Sequence, residues 1–298
     1  MRRSLGIGLT AALCLPLLLI GSNGAVPGKS FAGRFDLKPA SAGFGGFSAL
    51  WIAPRGDRMI AVSDRGFAVT GRISRDDAGQ IAGIALSAPI GLLGGDTQKA
   101  KPLALDSEGL AVAADGAIYI STEGPARVLR FEQLGGAGQK IGVPRDFAGL
   151  SRNGGLEGLA IAADGTLFTL PEITGQMSIP FPLFRRQGST WSLFATIPRT
   201  DYFLPVSADF GPDGHLYLLF RGFGGLSGFA TRLQRFELTE AGLGPAETLI
   251  ESPFGLHGNL EGLSIWRDAK GQLMATMIAD DNETFFQSSE LVEYHLPD

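Results

Sequence analysis

Cysteine is almost missing from this 298-residue sequence, because the single one, Cys14, lies in an apolar N-terminal run. A fold stapled by disulfides is therefore excluded. The three histidines, His215, His257 and His295, are too far apart to form a zinc-binding pair. The sequence has no G-x-S-x-G nucleophile elbow, no complete P-loop and no complete EF-hand loop. A catalytic site would therefore have to work through carboxylates, a metal ion and water.

Positive charge is sparse as well. The chain carries 25 basic and 30 acidic residues, and six of the basic residues are lysines. Nucleic-acid binding rewards clustered lysine and arginine, so we expect no nucleic-acid partner. An acidic chain is compatible with binding a metal cation.

Long hydrophobic runs are missing after residue 20. The run Leu5–Ile20 follows two arginines and precedes several small residues, which is the layout of a secretory signal peptide. It contains Pro16 and is shorter than the roughly 20 residues that a membrane span needs. We expect residues 1–25 to be a signal peptide and residues 26–298 to form one domain. That domain would be secreted or periplasmic, with no membrane span after cleavage.

A repeat occupies the rest of the chain. Five segments each contain a short apolar strand, a tight polar turn and a second apolar strand. They begin at Gly45, Ser107, Leu156, Val206 and Leu260. Three of the turns are Asp-Gly, which favours a hairpin because glycine accepts a positive φ. Further strand-like runs follow each hairpin, and four strands in about fifty residues is typical of a β-propeller blade.

The fifth unit is one strand short. Ser289–His295 follows its hairpin, and the missing strand is available at the other end of the domain as Phe31–Lys38. Pairing these two segments would close the ring and remove an open sheet edge. We therefore predict an all-β propeller of four-stranded antiparallel blades, with five blades preferred and six as the alternative.

Polar residues gather at one end of the predicted blades. The start of each first strand and the end of each second strand must lie on the same face of the disc. Carboxylates at these positions are the candidate metal ligands: Glu108, Glu123, Glu157, Asp209, Glu261, Asp280 and Asp281. The other polar residues there are candidates for substrate binding: Arg65, Arg221, His257 and Asn282. The Asp-Gly turns fall on the opposite face.

We call the carboxylates at this end of the blades the acidic rim, and two explanations of it remain open. Any single glutamate could simply bond to backbone groups of the next blade. Collectively, however, carboxylates on one small rim repel one another unless a cation neutralises them. Calcium takes six to eight oxygen ligands of the types present on this rim, so a divalent cation, calcium above all, is the expected cofactor.

The motifs together resemble the phytase-like esterase family, which is described as "esterase-like activity of phytase". In chain order they are SDRG at Ser63, EGL at Glu108 and Glu157, the strand-end Glu123 and Glu172, RGF at Arg221, NLEGL at Asn259 and ADDN at Ala279. The resemblance covers essentially all of residues 26–298. It implies a propeller, metal dependence and hydrolysis of ester or phosphoester bonds. Phytate itself is disfavoured, because no lysine falls at a predicted rim position to hold its six phosphates.

The sequence thus favours a metal-dependent hydrolase of ester, phosphoester or lactone bonds in a small anionic substrate. Glu157, Glu172 and Asp64 are the catalytic candidates, with Glu157 or Glu172 as the general base. Arg65 and Arg221 would hold the anionic end of the substrate. The alternative is a non-catalytic binding or scaffold propeller, because a fold does not fix a function.

Overall fold

Five antiparallel sheets surround a central channel in a computed structural model of the chain. The structure describes residues 30–37, 44–94, 101–102, 107–123, 126–144, 155–172, 178–281 and 289–298. Over these ranges there is no α-helix, and therefore no helix long and apolar enough to cross a membrane. The inner strand of each blade contacts that of the next, and blade 5 contacts blade 1. The predicted all-β fold with five blades is confirmed.

Each blade contains, in this order, an inner strand, a second strand, a third strand and an outer strand. Blade 1 consists of Phe47–Ile52, Arg58–Ser63, Phe67–Arg75 and Ile81–Leu86. Blade 2 consists of Ser107–Val112, Ile118–Thr122, Arg127–Phe131 and Ala137–Lys140. Blade 3 consists of Leu156–Ile161, Leu167–Pro171, Phe181–Gln187 and Thr190–Ile197. Blade 4 consists of Leu204–Phe210, Leu216–Phe223, Phe229–Phe236 and Glu247–Glu251. Blade 5 consists of Asn259–Arg267, Leu273–Asp280, Glu290–His295 and Phe31–Asp36.

Short elements extend two of the blades: Ile90–Gly91 on blade 1, and Leu93–Gly94 and Lys101–Pro102 on blade 2. Leu238–Thr239 and Gly242–Leu243 form a separate two-stranded sheet between the third and outer strands of blade 4. One turn of 3₁₀-helix, Gly225–Ser227, lies between the second and third strands of blade 4.

The three Asp-Gly pairs form the predicted turns between inner and second strands. Gly116, Gly165 and Gly214 have φ values of 88°, 85° and 83°, where a side chain would be strained. In each turn the aspartate accepts a hydrogen bond from the N–H two residues later. The turns therefore fix where each inner strand ends, on the face opposite the strand starts.

Five hydrophobic layers, one between each pair of neighbouring blades, make up the core. Middle strands are covered on both faces, so their sequences are apolar without alternation. In the second strand of blade 4, Tyr217 and Leu219 pack toward blade 5, whereas Leu216, Leu218 and Phe220 pack toward blade 3. All five are buried.

The ring closes by pairing the two ends of the domain. Phe31–Asp36 pairs antiparallel with Glu290–His295 as the outer strand of blade 5. An ion pair joins blade 5 to blade 1, because the two Nη atoms of Arg75 donate to Glu293 at 2.7 and 2.8 Å. The Arg75 guanidinium also lies 4.5 Å from the ring centroid of Trp266. The predicted closure by the terminal strands is confirmed.

Deleting Phe31–Asp36 should lower the thermal midpoint by roughly 10 °C or more, because it removes a whole strand of pairing and uncovers the edge of blade 5. The control is deletion of Pro297 and Asp298, whose hydrogen bonds are exposed and whose loss should cost little. Differential scanning calorimetry measures both variants. If the variant without Phe31–Asp36 has the same thermal midpoint as the wild type, this strand does not close the ring.

Candidate functional site

Each inner strand carries a β-bulge at one end of the channel. In blade 3, Leu156 and Gly158 pair with adjacent residues of the second strand, so Glu157 is the extra residue. The same shift in the other four blades makes the extra residues Ser48, Glu108, Val206 and Glu261. A bulge re-aims a side chain, and the five bulged residues occupy equivalent positions at the same end of their inner strands. Three of them are glutamates.

The glycine after each bulged glutamate lets neighbouring inner strands approach. A Cβ on Gly109 would lie 2.7 Å from the carbonyl oxygen of Glu157 in the next blade. A Cβ on Gly262 would lie 2.8 Å from backbone atoms of Ala49 and Leu50 in blade 1. The EGL motif therefore has a physical meaning: the glutamate fills the bulge, the glycine meets the next blade and the leucine enters the core.

Two of the predicted metal ligands bond to the backbone of the following blade. Glu123, just after the second strand of blade 2, accepts a hydrogen bond from the N–H of Gly155 at 2.8 Å. Asp281, at the equivalent point of blade 5, accepts one from the N–H of Gly46 at 3.3 Å. Backbone donors away from water need such partners. These contacts support a structural explanation for Glu123 and Asp281.

Arg221 connects three blades at the same level. Its Nη2 donates to Glu172 of blade 3 at 2.6 Å, and its Nη1 donates to Asn259 of blade 5 at 3.0 Å and to Glu261. The Asn259 amide also donates to Glu261 at 2.8 Å. Burial lowers the pKa of Arg221, but the negative charges of Glu261 and Glu172 outweigh it and raise the pKa overall. The guanidinium is thus a charged bridge across this part of the rim.

Burial raises the pKa of the three bulged glutamates. The pKa of Glu108 rises to about 8, through burial and then through the charge of Glu261. Burial also holds the pKa of Glu157 well above its ordinary value, and Glu108 adds to the shift. The pKa of Glu261 rises to about 7, because burial outweighs the opposing effect of Arg221. All three side chains are half-buried along the channel wall, so solvent can exchange their protons.

Asp64 and Asp280 add negative charge beside these glutamates. Asp64 contributes to the raised pKa of Glu108, and Asp280 to that of Glu261. Arg65 follows directly, with its Nε 3.8 Å from the Asp64 carboxylate. Across the described ranges, however, no three His, Cys, Asp or Glu side chains are arranged to hold a metal ion.

The predicted position of Asp209 on this rim is wrong. The inner strand of blade 4 begins at Leu204, two residues earlier than the repeat suggested, so Asp209 lies near the far end of the strand. Its carboxylate accepts hydrogen bonds from the N–H groups of Ile265 at 2.7 Å and Phe210 at 2.9 Å. Burial raises its pKa to about 7. Asp209 therefore joins blades 4 and 5 at the opposite mouth, away from Arg221.

His257 is also not at the channel. It is 8% exposed and packs against Phe31 and Tyr294, which belong to the outer and third strands of blade 5. Its Nε2 lies 2.6 Å from the Tyr294 hydroxyl, and burial lowers its pKa to about 4. The predicted substrate contact by His257 is thus replaced by packing. Asn282 lies outside the described residues.

Two polar residues that complete the site were not among the predicted site residues. Asn259 links Arg221 to Glu261, and the Ser48 hydroxyl bonds to the Glu108 carboxyl. The sequence repeat contains a signal for both residues. Asn259 stands two residues before its glutamate, and Ser48 takes the place of the glutamate in the first repeat.

The fold is similar to solved structures of low sequence identity. An α-L-arabinofuranosidase from Podospora anserina gives a TM-score of 0.53 at 12% identity, over 88% of this chain and 94% of that one. A calcium-binding protein, regucalcin, from Agrobacterium tumefaciens gives 0.48 at 11%, over 89% and 95%. A gluconolactonase from Xanthomonas campestris gives 0.43 at 18%, over 80% and 69%. At 12% identity the first of these likenesses concerns the fold alone.

No curated protein matches the sequence of this chain significantly. A family model described as "Esterase-like activity of phytase" matches residues 42–283. That range spans all five inner strands and includes the bulged glutamates and Arg221. The chain therefore belongs to the Phytase-like family.

Proposed function

We propose that this chain is a divalent-cation-dependent hydrolase that cleaves an ester, lactone or phosphoester bond in a small anionic substrate. The observation that carries the proposal is the convergence of Glu108, Glu157 and Glu261 on one channel mouth beside Arg221. Carboxyl groups whose pKa values are raised by burial and crowding are typical of functional sites. Membership of a family described as esterase-like supports the reaction class.

The donor chemistry fits a hard cation such as calcium. Glu108 and Glu261 come from the two blades that flank Ser48, and Asp64 and Asp280 lie at the adjacent strand ends. A cation among these oxygens would relieve the charge repulsion that adds to burial in raising the pKa values of the glutamates. The described side chains do not form a ready ligand set, so binding requires them to turn toward a common point. Such a cation, when bound, polarises a carbonyl and acidifies a water.

Glu157 fits the proton-transfer role. It lies on blade 3, whereas the proposed cation ligands lie on blades 5, 1 and 2. Burial and the neighbouring carboxylates raise the pKa of Glu157 well above its ordinary value, which favours a role in proton transfer. In the ionised form Glu157 would take the proton of the water that attacks the carbonyl carbon. In the protonated form it would return that proton to the departing alkoxide. Glu172, bonded to Arg221 on the same side, is the second candidate.

Arg221 fits a positioning role, because it holds Glu172 and Glu261 at fixed separations. An anionic group that enters the mouth would also meet its positive charge. Arg65, on the opposite side of the ring in blade 1, would hold the anionic end of the substrate. A guanidinium suits both tasks because it donates from two separated nitrogens.

A non-catalytic binding or scaffold propeller is the alternative function. The backbone contacts of Glu123 and Asp281 favour it, because they give part of the acidic rim a structural role. Turnover separates the two, since a binding propeller would hold the same ligands without consuming them.

Export is part of the proposal. The layout of residues 1–25 supports cleavage after translocation. N-terminal sequencing of the protein recovered from the periplasm or medium tests this, and an intact N-terminus there would contradict it.

Without a divalent cation, stability should fall as the pH rises from about 5 to about 8. Folded Glu108 keeps its proton up to a pKa of about 8, against 4.5 without the fold. Between these values the folded state binds more protons than the unfolded state, so each unit of pH removes up to about 1.4 kcal/mol per group. Thermal midpoints measured in chelator report the slope.

Glu108→Gln should flatten that decline, whereas the control Glu240→Gln, at an exposed position, should follow the wild type. A wild-type midpoint that rises across this range would contradict the raised pKa. So would a Glu108→Gln variant whose midpoint falls as steeply as that of the wild type.

Calcium should raise the thermal midpoint at pH 7.5. A ligand that binds only the folded state stabilises it by about 2.7 kcal/mol at a hundred times its Kd, or roughly 5–10 °C for a domain of this size. Glu261→Gln should reduce the gain by removing a charge at nearly constant shape, and Glu240→Gln should not. If calcium, magnesium and manganese all leave the midpoint unmoved, the cation hypothesis fails.

Arg221→Lys should lower kcat/KM for a 4-nitrophenyl ester by about tenfold, because lysine cannot span blades 3 and 5 with two nitrogens. The loss of hydrogen bonds to charged partners should also cost about 1–3 kcal/mol of stability. The control is Arg58→Lys, an exposed arginine on blade 1. An anionic ester and a neutral ester should be compared in the same variant. If Arg221 contacts the substrate anion directly, kcat/KM falls further for the anionic ester; if Arg221 only positions Glu172 and Glu261, both esters lose equally. Full activity in Arg221→Lys would remove this residue from the site.

A further inference from the structure

Exposed apolar side chains concentrate on the face that carries the carboxylates. Of the five large apolar side chains exposed among the described residues, four lie at that end of blades 3 and 4: Ile179, Tyr202, Phe223 and Leu226. The fifth, Leu193, lies on the outer strand of blade 3. Single exposed apolar residues scattered over a surface are ordinary, whereas a cluster of them is typical of a binding site.

The hairpin after Arg221 carries two of these side chains. The second strand of blade 4 continues past Arg221 to Phe223, which is 67% exposed, and Leu226 at the tip is fully exposed. The tip is held by hydrogen bonds from the N–H of Gly224 to the carbonyl of Gly228 at 2.9 Å, and from the N–H of Gly228 to that of Gly225 at 3.1 Å. The apolar side chains are therefore presented on ordered backbone.

Tyr202 adds exposed apolar surface at the same end of blade 4, beside the opposite face of the strand. Its ring lies against Gly222, where a Cβ would come within 2.5 Å of the ring. The ring also stacks on Phe203 and Phe254, at centroid distances of 4.8 and 5.7 Å. Half of Tyr202 nevertheless stays exposed. We call Tyr202, Phe223 and Leu226 the apolar ledge.

The apolar ledge adjoins the candidate site. Arg221 and Phe223 are two residues apart on one strand, so their side chains leave the same face about 7 Å apart. Arg221 contacts Glu172 and Glu261 directly. A molecule whose reacting group lies among these carboxylates can therefore extend its remaining part over Phe223 and Leu226.

We infer that the apolar ledge binds the acyl chain of the substrate, so that the substrate class is an ester with an apolar acyl group of several carbons. This inference rests on the proposed hydrolase function. Ligand sites combine apolar surface with a few convergent polar groups, which is the combination that the ledge and the rim provide. Three side chains are too few for a stable protein interface, which needs about 1,000 Å². The acidic rim beside the ledge disfavours an anionic membrane surface.

The test compares 4-nitrophenyl hexanoate with 4-nitrophenyl acetate, which share a leaving group and differ in the acyl chain. The wild type should prefer the hexanoate by kcat/KM. The double variant Phe223→Ser with Leu226→Ser should lose about tenfold on the hexanoate and stay within about twofold on the acetate, because each buried CH₂ contributes measurably to binding. Leu193→Ser is the control and should change neither rate. Equal losses on both esters, or no wild-type preference, would overturn the inference.

Binding measurements separate failure of the apolar ledge from failure of the hydrolase proposal. If the wild type hydrolyses neither ester, the hydrolase proposal fails for carboxylic esters, and titration with hexanoate by NMR still tests the ledge. Hexanoate binding that is about tenfold weaker in the double variant supports the ledge, and absent or equal binding overturns it. Co-sedimentation with phosphatidylcholine vesicles, or dimerisation in the ultracentrifuge, that the double variant abolishes would assign the surface to a lipid or a second copy instead.

Discussion

The close approach of neighbouring inner strands is the constraint on which this structure depends. The strands of blades 2 and 3 pass so near each other that Gly109 has no room for a Cβ beside the Glu157 carbonyl. Each inner strand also carries one bulged residue, and the five bulges occupy equivalent positions in the five blades. Three glutamates in equivalent positions therefore converge without any long loop to bring them together.

Glutamates that lie close together repel one another, and two features of the rim reduce this repulsion. Arg221 neutralises part of the charge by bonding to Glu172 and Glu261. Burial and mutual repulsion then favour the protonated forms of the remaining glutamates, as the pKa of about 8 for Glu108 shows. The rim therefore combines a charged guanidinium with carboxyl groups of raised pKa.

The fold could be predicted from the sequence because most of its signals lie within single hairpins. Asp-Gly turns, apolar strand pairs and an N-terminal strand that completes the last blade determine five blades and their closure. The predicted start of the inner strand of blade 4 is wrong because this strand lacks the EGL motif that marks the bulge in blades 2, 3 and 5. Counting back seven residues from the turn aspartates reaches Glu108, Glu157 and then Val206, which places Asp209 beyond the bulge. Packing of His257 on Tyr294 could not be predicted, because it depends on contacts between distant strands.

The central claim is that the bulged glutamates perform hydrolysis rather than only shape the rim. Steady-state hydrolysis of a 4-nitrophenyl ester by the wild type and by Glu157→Gln, each with calcium and with chelator, tests it most directly. The account predicts calcium-dependent turnover in the wild type and a loss of about a hundredfold or more in the variant, since general acid–base groups contribute that much, with the folded state retained. Turnover that is absent in the wild type, or equal in Glu157→Gln, would contradict it.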